Sequence, residues 1–155
     1  MDEQRVNFLG IHLDSKLSWD EHIDYLCTRL SRVIFLIRNL KTILPASYLR
    51  NVYFAFFHSL ITYGIIFWGN CCGVAKILIL QKKIIRILTG LEINAHCKLS
   101  FKNLKIMTVV NLYIFEQILY IRNHLYIYEE RTAVHLYPTR NSHLLQLPQI
   151  RLHKT

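Results

Sequence analysis

The chain has 155 residues, 52% of them hydrophobic and only 19% charged, with nineteen Lys and Arg against ten Asp and Glu for a formal charge of +9. This excludes a disordered polar chain, and three Pro with five Gly exclude collagen-like or linker-dominated architectures. The same scarcity of turn residues argues against an all-β sandwich; the length fits one domain, or a piece of one, able to bury a sizeable core, and the elements that follow make it mainly α.

In chain order, residues 5–13 read as one short strand whose alternation slips at Gly10, and Asp14-Ser15-Lys16 is turn chemistry. Ser18 and Glu21 have the spacing of a capping box. After them Ile23, Leu26, Cys27, Leu30, Val33, Ile34, Ile37 and Leu40 recur at helical spacing, with Arg29 and Arg32 on the other face. Pro45 precedes a second helix from about Ser47 to Tyr63, with Gly64 and Gly69 leaving its end open. A third helix spans Val74 to Leu88 and closes at Gly90. Its basic side carries Lys76, Lys82, Lys83 and Arg86, opposite Ile77, Ile84 and Leu88. Residues 92–100 form a polar stretch, and 101–106 a single helical turn. A long helix from Thr108 to Tyr126 is apolar nearly all round, which predicts burial or a partner. Residues 129–155, with Pro138 and Pro148, read as an extended, poorly ordered tail.

Charge is uneven along the chain. Residues 25–155 hold seventeen of the nineteen basic residues but four of the ten acids, and 25–91 hold no acid. Such a surplus favours a polyanionic partner, either nucleic acid or an anionic membrane face. Asn51 to Ala75 lack any charged side chain, long enough for a membrane anchor. Against that stand His58, Ser59, Thr62, Asn70, the glycines, and basic flanks without sidedness, so the membrane reading ranks second. Adjacent Cys71 and Cys72, no glycosylation sequon and no signal peptide point to an intracellular protein, nuclear or cytoplasmic and not secreted.

Catalytic patterns are missing. No glycine-rich phosphate loop or Gly-x-Ser-x-Gly elbow occurs, and the adjacent acids Asp2-Glu3, Asp20-Glu21 and Glu129-Glu130 do not suggest a two-cation site. Cys71, Cys72, His96 and Cys97 lack the spacer that zinc pairs need, and the tail histidines (His135, His143, His153) lack metal-like spacing, so no metal site is expected. The best local signal is the basic side of the third helix, fit for sequence-independent contact with phosphates.

An ordered set of short motifs adds to this. Phe8-Leu9-Gly10-Ile11, Asp14, Leu17-Ser18-Trp19 and His22-Ile23 come first; then Tyr63-Gly64, Trp68-Gly69, Gln81-Lys82-Lys83 with Arg86, and Phe101 with Leu104; Tyr137, Thr139 and Arg140 close it. The succession resembles the C-terminal part of reverse transcriptases of non-LTR retrotransposons, jockey-like elements in particular. The resemblance covers Val6 to Arg122 and reaches faintly into the Tyr-Pro-Thr-Arg stretch. It implies a primer-grip-like strand and turn over 1–17, with Phe8, Leu9 and Gly10 near a primer end. It also implies a helical, thumb-like region over 18–128, ahead of the tail at 129–155. Lys82, Lys83 and Arg86 match a basic motif of that region; with Lys76 they are the expected contacts to a template–primer duplex.

Such polymerases carry their catalytic aspartates and magnesium site in a palm that precedes the primer grip, which begins here within a few residues of Met1. The expectation is therefore a transposable-element fragment with no catalytic residues, no cofactor of its own and no polymerisation by itself. Its expected partners are a nucleic-acid duplex, held weakly, and either the missing palm or another copy of itself. The alternatives are a small basic membrane-anchored protein using residues 51–75 and a helical protein-interaction module.

Overall fold

Val6–Phe8 (β1) and Ile11–Leu13 (β2) pair antiparallel in the register Val6↔Leu13, Asn7↔His12 and Phe8↔Ile11. Leu9 and Gly10, both at positive φ (51° and 83°), make the two-residue turn between them. The slip at Gly10 is thus a hairpin turn, not a bulge in one strand; positive φ at both positions is what a tight hairpin with the right twist demands. The computed structural model describes residues 6–128 together with Arg131, Arg140, Leu144 and Leu145. Most of the expected tail, including its three histidines, Tyr137 and Thr139, lies outside the described residues.

The chain is mainly helical, as the spacing of its apolar residues predicts. Asp20–Leu40 forms α1, and its buried residues include Ile23, Leu26, Leu30, Ile34 and Ile37, the stripe the spacing predicts. It does not begin with the expected capping box. The N-cap is Trp19 at φ 67°, without a side-chain cap bond. Asp14 organises the approach instead, accepting from the Lys16 N–H (2.8 Å), the Ser18 N–H (3.1 Å), the Ser18 hydroxyl (2.8 Å) and the Trp19 N–H (3.3 Å). A short Asp side chain competes well for nearby backbone donors. Those donors, the Ser18 N–H foremost, hold the carboxyl below its ordinary 3.8.

After Pro45 the chain stays helical from α2 (Ala46–Val52) through a π-helical turn (Tyr53–His58) into α3 (Ser59–Thr62); α4 (Ile65–Trp68) follows Gly64. Leu49, Tyr53, Phe57, Ile61 and Ile65 are all buried, one every four residues. At 3.6 residues per turn such a row drifts about 40° per repeat around an α-helix. The wider π turn offsets part of that drift, so Tyr53 and Phe57 stack (ring centres 5.3 Å apart) inside one core. Trp68, fully buried, donates its indole N–H to the Tyr63 carbonyl at 3.1 Å.

Val74–Thr89 (α5) packs against α1 and buries Ile77, Ile84, Ile85 and Leu88, and Gly90 caps it at φ 72°. Lys98–Leu104 (α6) and Val109–Asn123 (α7) follow. Only Val109 and Leu112 of α7 are buried, so the all-round apolar pattern is not a buried helix among the described residues. The contacts divide the chain into two units, Met1–Gln117 and Ile118–Thr155, with the break inside α7. In the second unit a 3-10 turn spans Leu125–Ile127, and the Tyr120 and His124 rings stack at 4.3 Å.

Among the described residues no single helix is long and apolar enough to cross a membrane, although α6 and α7 together, bent by 48°, pass by length and composition. The uncharged stretch from Asn51 to Ala75 is divided among several helical segments and supplies Tyr53, Phe57, Ile61, Ile65 and Trp68 to the core.

His22 sits where the hairpin meets α1. It is buried, and its Nδ1 accepts from the His12 backbone N–H at 3.4 Å, with the rings of Trp19, Trp68 and His12 around it. Burial first, then the neighbouring His12, pushes its pKa below the ordinary 6.5; burial does the same to His58, against an opposing pull from Glu116. The unfolded chain therefore takes up these protons more readily, and stability falls as pH drops below about 6.5. Thermal unfolding should show a lower midpoint at about pH 5 than at about pH 7. His22→Asn, which keeps an acceptor but does not titrate, should shrink the difference. An equal acid loss in that variant would remove His22 from the account.

Candidate nucleic-acid interface

The basic side of α5 divides in the folded chain. At about 100° per residue, Lys82 and Arg86 lie some 40° apart, while Lys76 and Lys83 share another direction. Lys76 donates to the Asp24 carboxylate on α1 at 2.7 Å, with both side chains exposed, and Asp24 raises the Lys76 pKa. Lys83 is exposed and does not line the groove that Lys82 and Arg86 face.

Lys82 and Arg86 face a groove of about 810 Å³ between α5 and the 94–111 segment. Its floor includes Cys97, Phe101 and Ile106, all buried. Its other cations are Lys98, Lys102 and Lys105, so five basic side chains line it, with Asn94, Thr108 and Asn111 as polar partners and no Asp or Glu. Among the described residues none of the five is ion-paired.

Three buried or half-buried polar anchors hold the walls. Arg86 Nε donates to the Ala95 carbonyl (3.0 Å), fixing the loop after α5. Arg50 Nε donates to the Leu104 carbonyl (2.9 Å) with its guanidinium 4.7 Å from the Phe54 ring centre, fixing the end of α6. Gln81, fully buried, donates to the Tyr53 hydroxyl (3.0 Å) and the Met107 carbonyl (2.9 Å) and accepts from the Val109 N–H (2.9 Å). Burial pushes the Tyr53 phenol up to about 12, so it stays protonated.

Two of the five cations occupy positions that local energetics disfavour. Lys98 opens α6, where the helix dipole favours negative charge. Lys105 caps α6 in the left-handed region (φ 53°, ψ 46°), where an L side chain costs about 1–2 kcal/mol.

Of the residues expected at a nucleic-acid face, Lys82 and Arg86 are brought together; Lys76 and Lys83 stand apart from them. The sequence pattern does not single out Lys98, Lys102 and Lys105, because 92–100 reads as a polar stretch and 101–106 as one turn. Their i, i+4, i+7 spacing was the available signal. Phe8, Leu9 and Gly10 sit exposed on the hairpin and do not line this groove; the Leu9 carbonyl accepts from the Tyr63 hydroxyl at 2.7 Å.

A polymerase magnesium site needs converging carboxylates. Among the described residues no three His, Cys, Asp or Glu side chains are placed to hold a metal ion. Asp14 is committed to its turn and Asp24 pairs with Lys76, so these residues do not fit that group. Cys71, Cys72 and Cys97 are free thiols. Comparison with protein-family models, with curated proteins and with solved structures gives no match for this chain.

Proposed function

We propose that the first unit binds nucleic-acid duplex through its phosphate backbone, in the manner of the thumb region of a non-LTR reverse transcriptase, and does not polymerise by itself. The observation that carries this reading is the acid-free groove lined by Lys82, Arg86, Lys98, Lys102 and Lys105. Cations gathered on two local segments, without an ion-pair partner among the described residues, repel one another in water, and a polyanion relieves that repulsion while releasing its own counterions. Two of them also sit where the backbone disfavours them, a pattern that fits function better than stability. Contacts of this kind touch phosphates and carry no sequence preference.

The left-handed lysine gives a test with two opposite signs. Lys105→Gly should raise stability by about 0.5–1 kcal/mol, since glycine adopts that geometry without penalty. It should also weaken duplex binding and lower the salt slope by about one. Chemical denaturation and fluorescence anisotropy read the two effects. A variant that is stabilised yet binds duplex with an unchanged salt slope would remove Lys105 from the site.

A second reading, a helical interaction module, draws on the exposed Val110, Ile114 and Phe115 of α7. Sedimentation at increasing protein concentration separates the two, because self-association through that row depends on concentration and hardly on salt.

A further inference from the structure

We infer that a second groove, between α1 and the π-helical turn with α3, binds an unpaired polynucleotide strand, independently of the α5–α6 groove. Two adjoining hollows of about 250 and 290 Å³ share Arg29, Ser59 and Leu60. Both fall just under the ~300–1,000 Å³ of ligand pockets and are partly open to solvent. Arg32 and Phe56 lie toward one end, Tyr25 and Tyr63 toward the other.

Arg29 and Arg32 are three residues apart on α1 and share a side of the helix. Both are exposed, neither is ion-paired among the described residues, and no Asp or Glu lines either hollow. Phe56 (50% exposed) and Tyr63 (52%) keep their rings substantially in water, whereas Tyr25 (39%) already has the His12 ring 4.4 Å away. The Arg29 guanidinium stands 5.7 Å from the Tyr25 ring centre. Tyr63 is tethered by its hydroxyl to the Leu9 carbonyl. The Ser59 hydroxyl donates to the Ala55 carbonyl (2.6 Å), which leaves its oxygen free to accept from a sugar or base.

Guanidinium groups set between the accessible rings of Phe56 and Tyr63 match a strand whose phosphates need neutralising and whose bases need stacking partners. Duplex offers only its phosphates, because its bases already stack on each other. An acidic peptide would satisfy the two arginines but use the rings merely as apolar surface. The observations therefore favour a single strand.

The test uses the full chain carrying Lys98→Ala/Lys102→Ala/Lys105→Ala, which removes three of the five cations of the other groove. A fluorescein-labelled oligo-uridine of about 12 nucleotides and a blunt RNA–DNA hybrid of equal length serve as probes in anisotropy titrations. Oligo-uridine should still bind. Phe56→Leu, which keeps apolar bulk but loses the ring, should weaken it about five- to tenfold. Arg29→Ala/Arg32→Ala should weaken it further and reduce the salt slope by about 1.4. Neither change should alter hybrid binding. These side chains are exposed, so thermal unfolding should confirm an intact fold. The inference is overturned if oligo-uridine fails to bind in this background, if Phe56→Leu leaves its affinity unchanged, or if poly-glutamate displaces it at equal charge concentration.

Discussion

Alanine at Lys98, Lys102 and Lys105 together is expected to weaken duplex binding by about two orders of magnitude near 0.1 M salt and to lower the salt slope by about 2.5. Each lysine that neutralises a phosphate contributes close to one unit of slope, whatever the sequence of the duplex. The three are exposed and unpaired among the described residues, so folding stability should change by no more than about 0.5 kcal/mol. The informative control is Lys76→Ala/Lys83→Ala. Charge along α5 groups that pair with Lys82 and Arg86, whereas the helical angle turns it to another direction and Lys76 pairs with Asp24. The control should leave the slope nearly intact. If it removes more slope than the triple variant, the α5–α6 groove is the wrong face.

Gln81→Ala is expected to cost about 3–5 kcal/mol, a large share of the ~5–15 kcal/mol that holds a domain together. The change strips partners from the Val109 N–H, the Met107 carbonyl and the Tyr53 hydroxyl at once, all around a side chain with no solvent exposure. Each buried group left unpaired costs about 1–3 kcal/mol, and the cavity adds to it. Tyr53→Phe is the graded companion. It removes one bond and leaves Gln81 joined to Met107 and Val109, so about 1 kcal/mol is expected. Denaturation midpoints at unchanged slope measure both. Because Gln81 fixes the 107–109 edge of the groove, the alanine variant should also weaken duplex binding under conditions where it stays folded. The phenylalanine variant should bind as the parent does.

The strongest elements of the fold were legible because periodicity and burial say the same thing there. The Ile23 to Ile37 stripe of α1, and Gly90 closing α5, follow from spacing and cap chemistry alone. The hairpin reads as one strand in the sequence because a single glycine gives no sign that Leu9 also adopts positive φ. The capping box failed because Asp14, four residues upstream of Ser18, captured the donors first. The four-residue row from Leu49 to Ile65 is plain in the sequence, yet the π turn that accommodates it is a tertiary response to packing. α7 shows the limit of composition: an all-round apolar pattern calls for cover without saying what supplies it.

The candidate site was half legible. Lys82 and Arg86 were identified from charge on one helix. Their partners sit in a segment that reads as loop because α6 is only seven residues long and draws its stability from Phe101 in the core and from Arg50 on its last turn. Helices this short form through tertiary contacts, not propensity, so sequence patterns underestimate them.

Amide chemical-shift mapping of a duplex titration tests the central claim most directly. The account predicts that perturbations concentrate around Lys82 and Arg86 and from Asn94 through Asn111, fade as salt rises, and bypass Lys76 and Lys83. Saturable duplex binding that leaves the 94–111 segment unperturbed would contradict it.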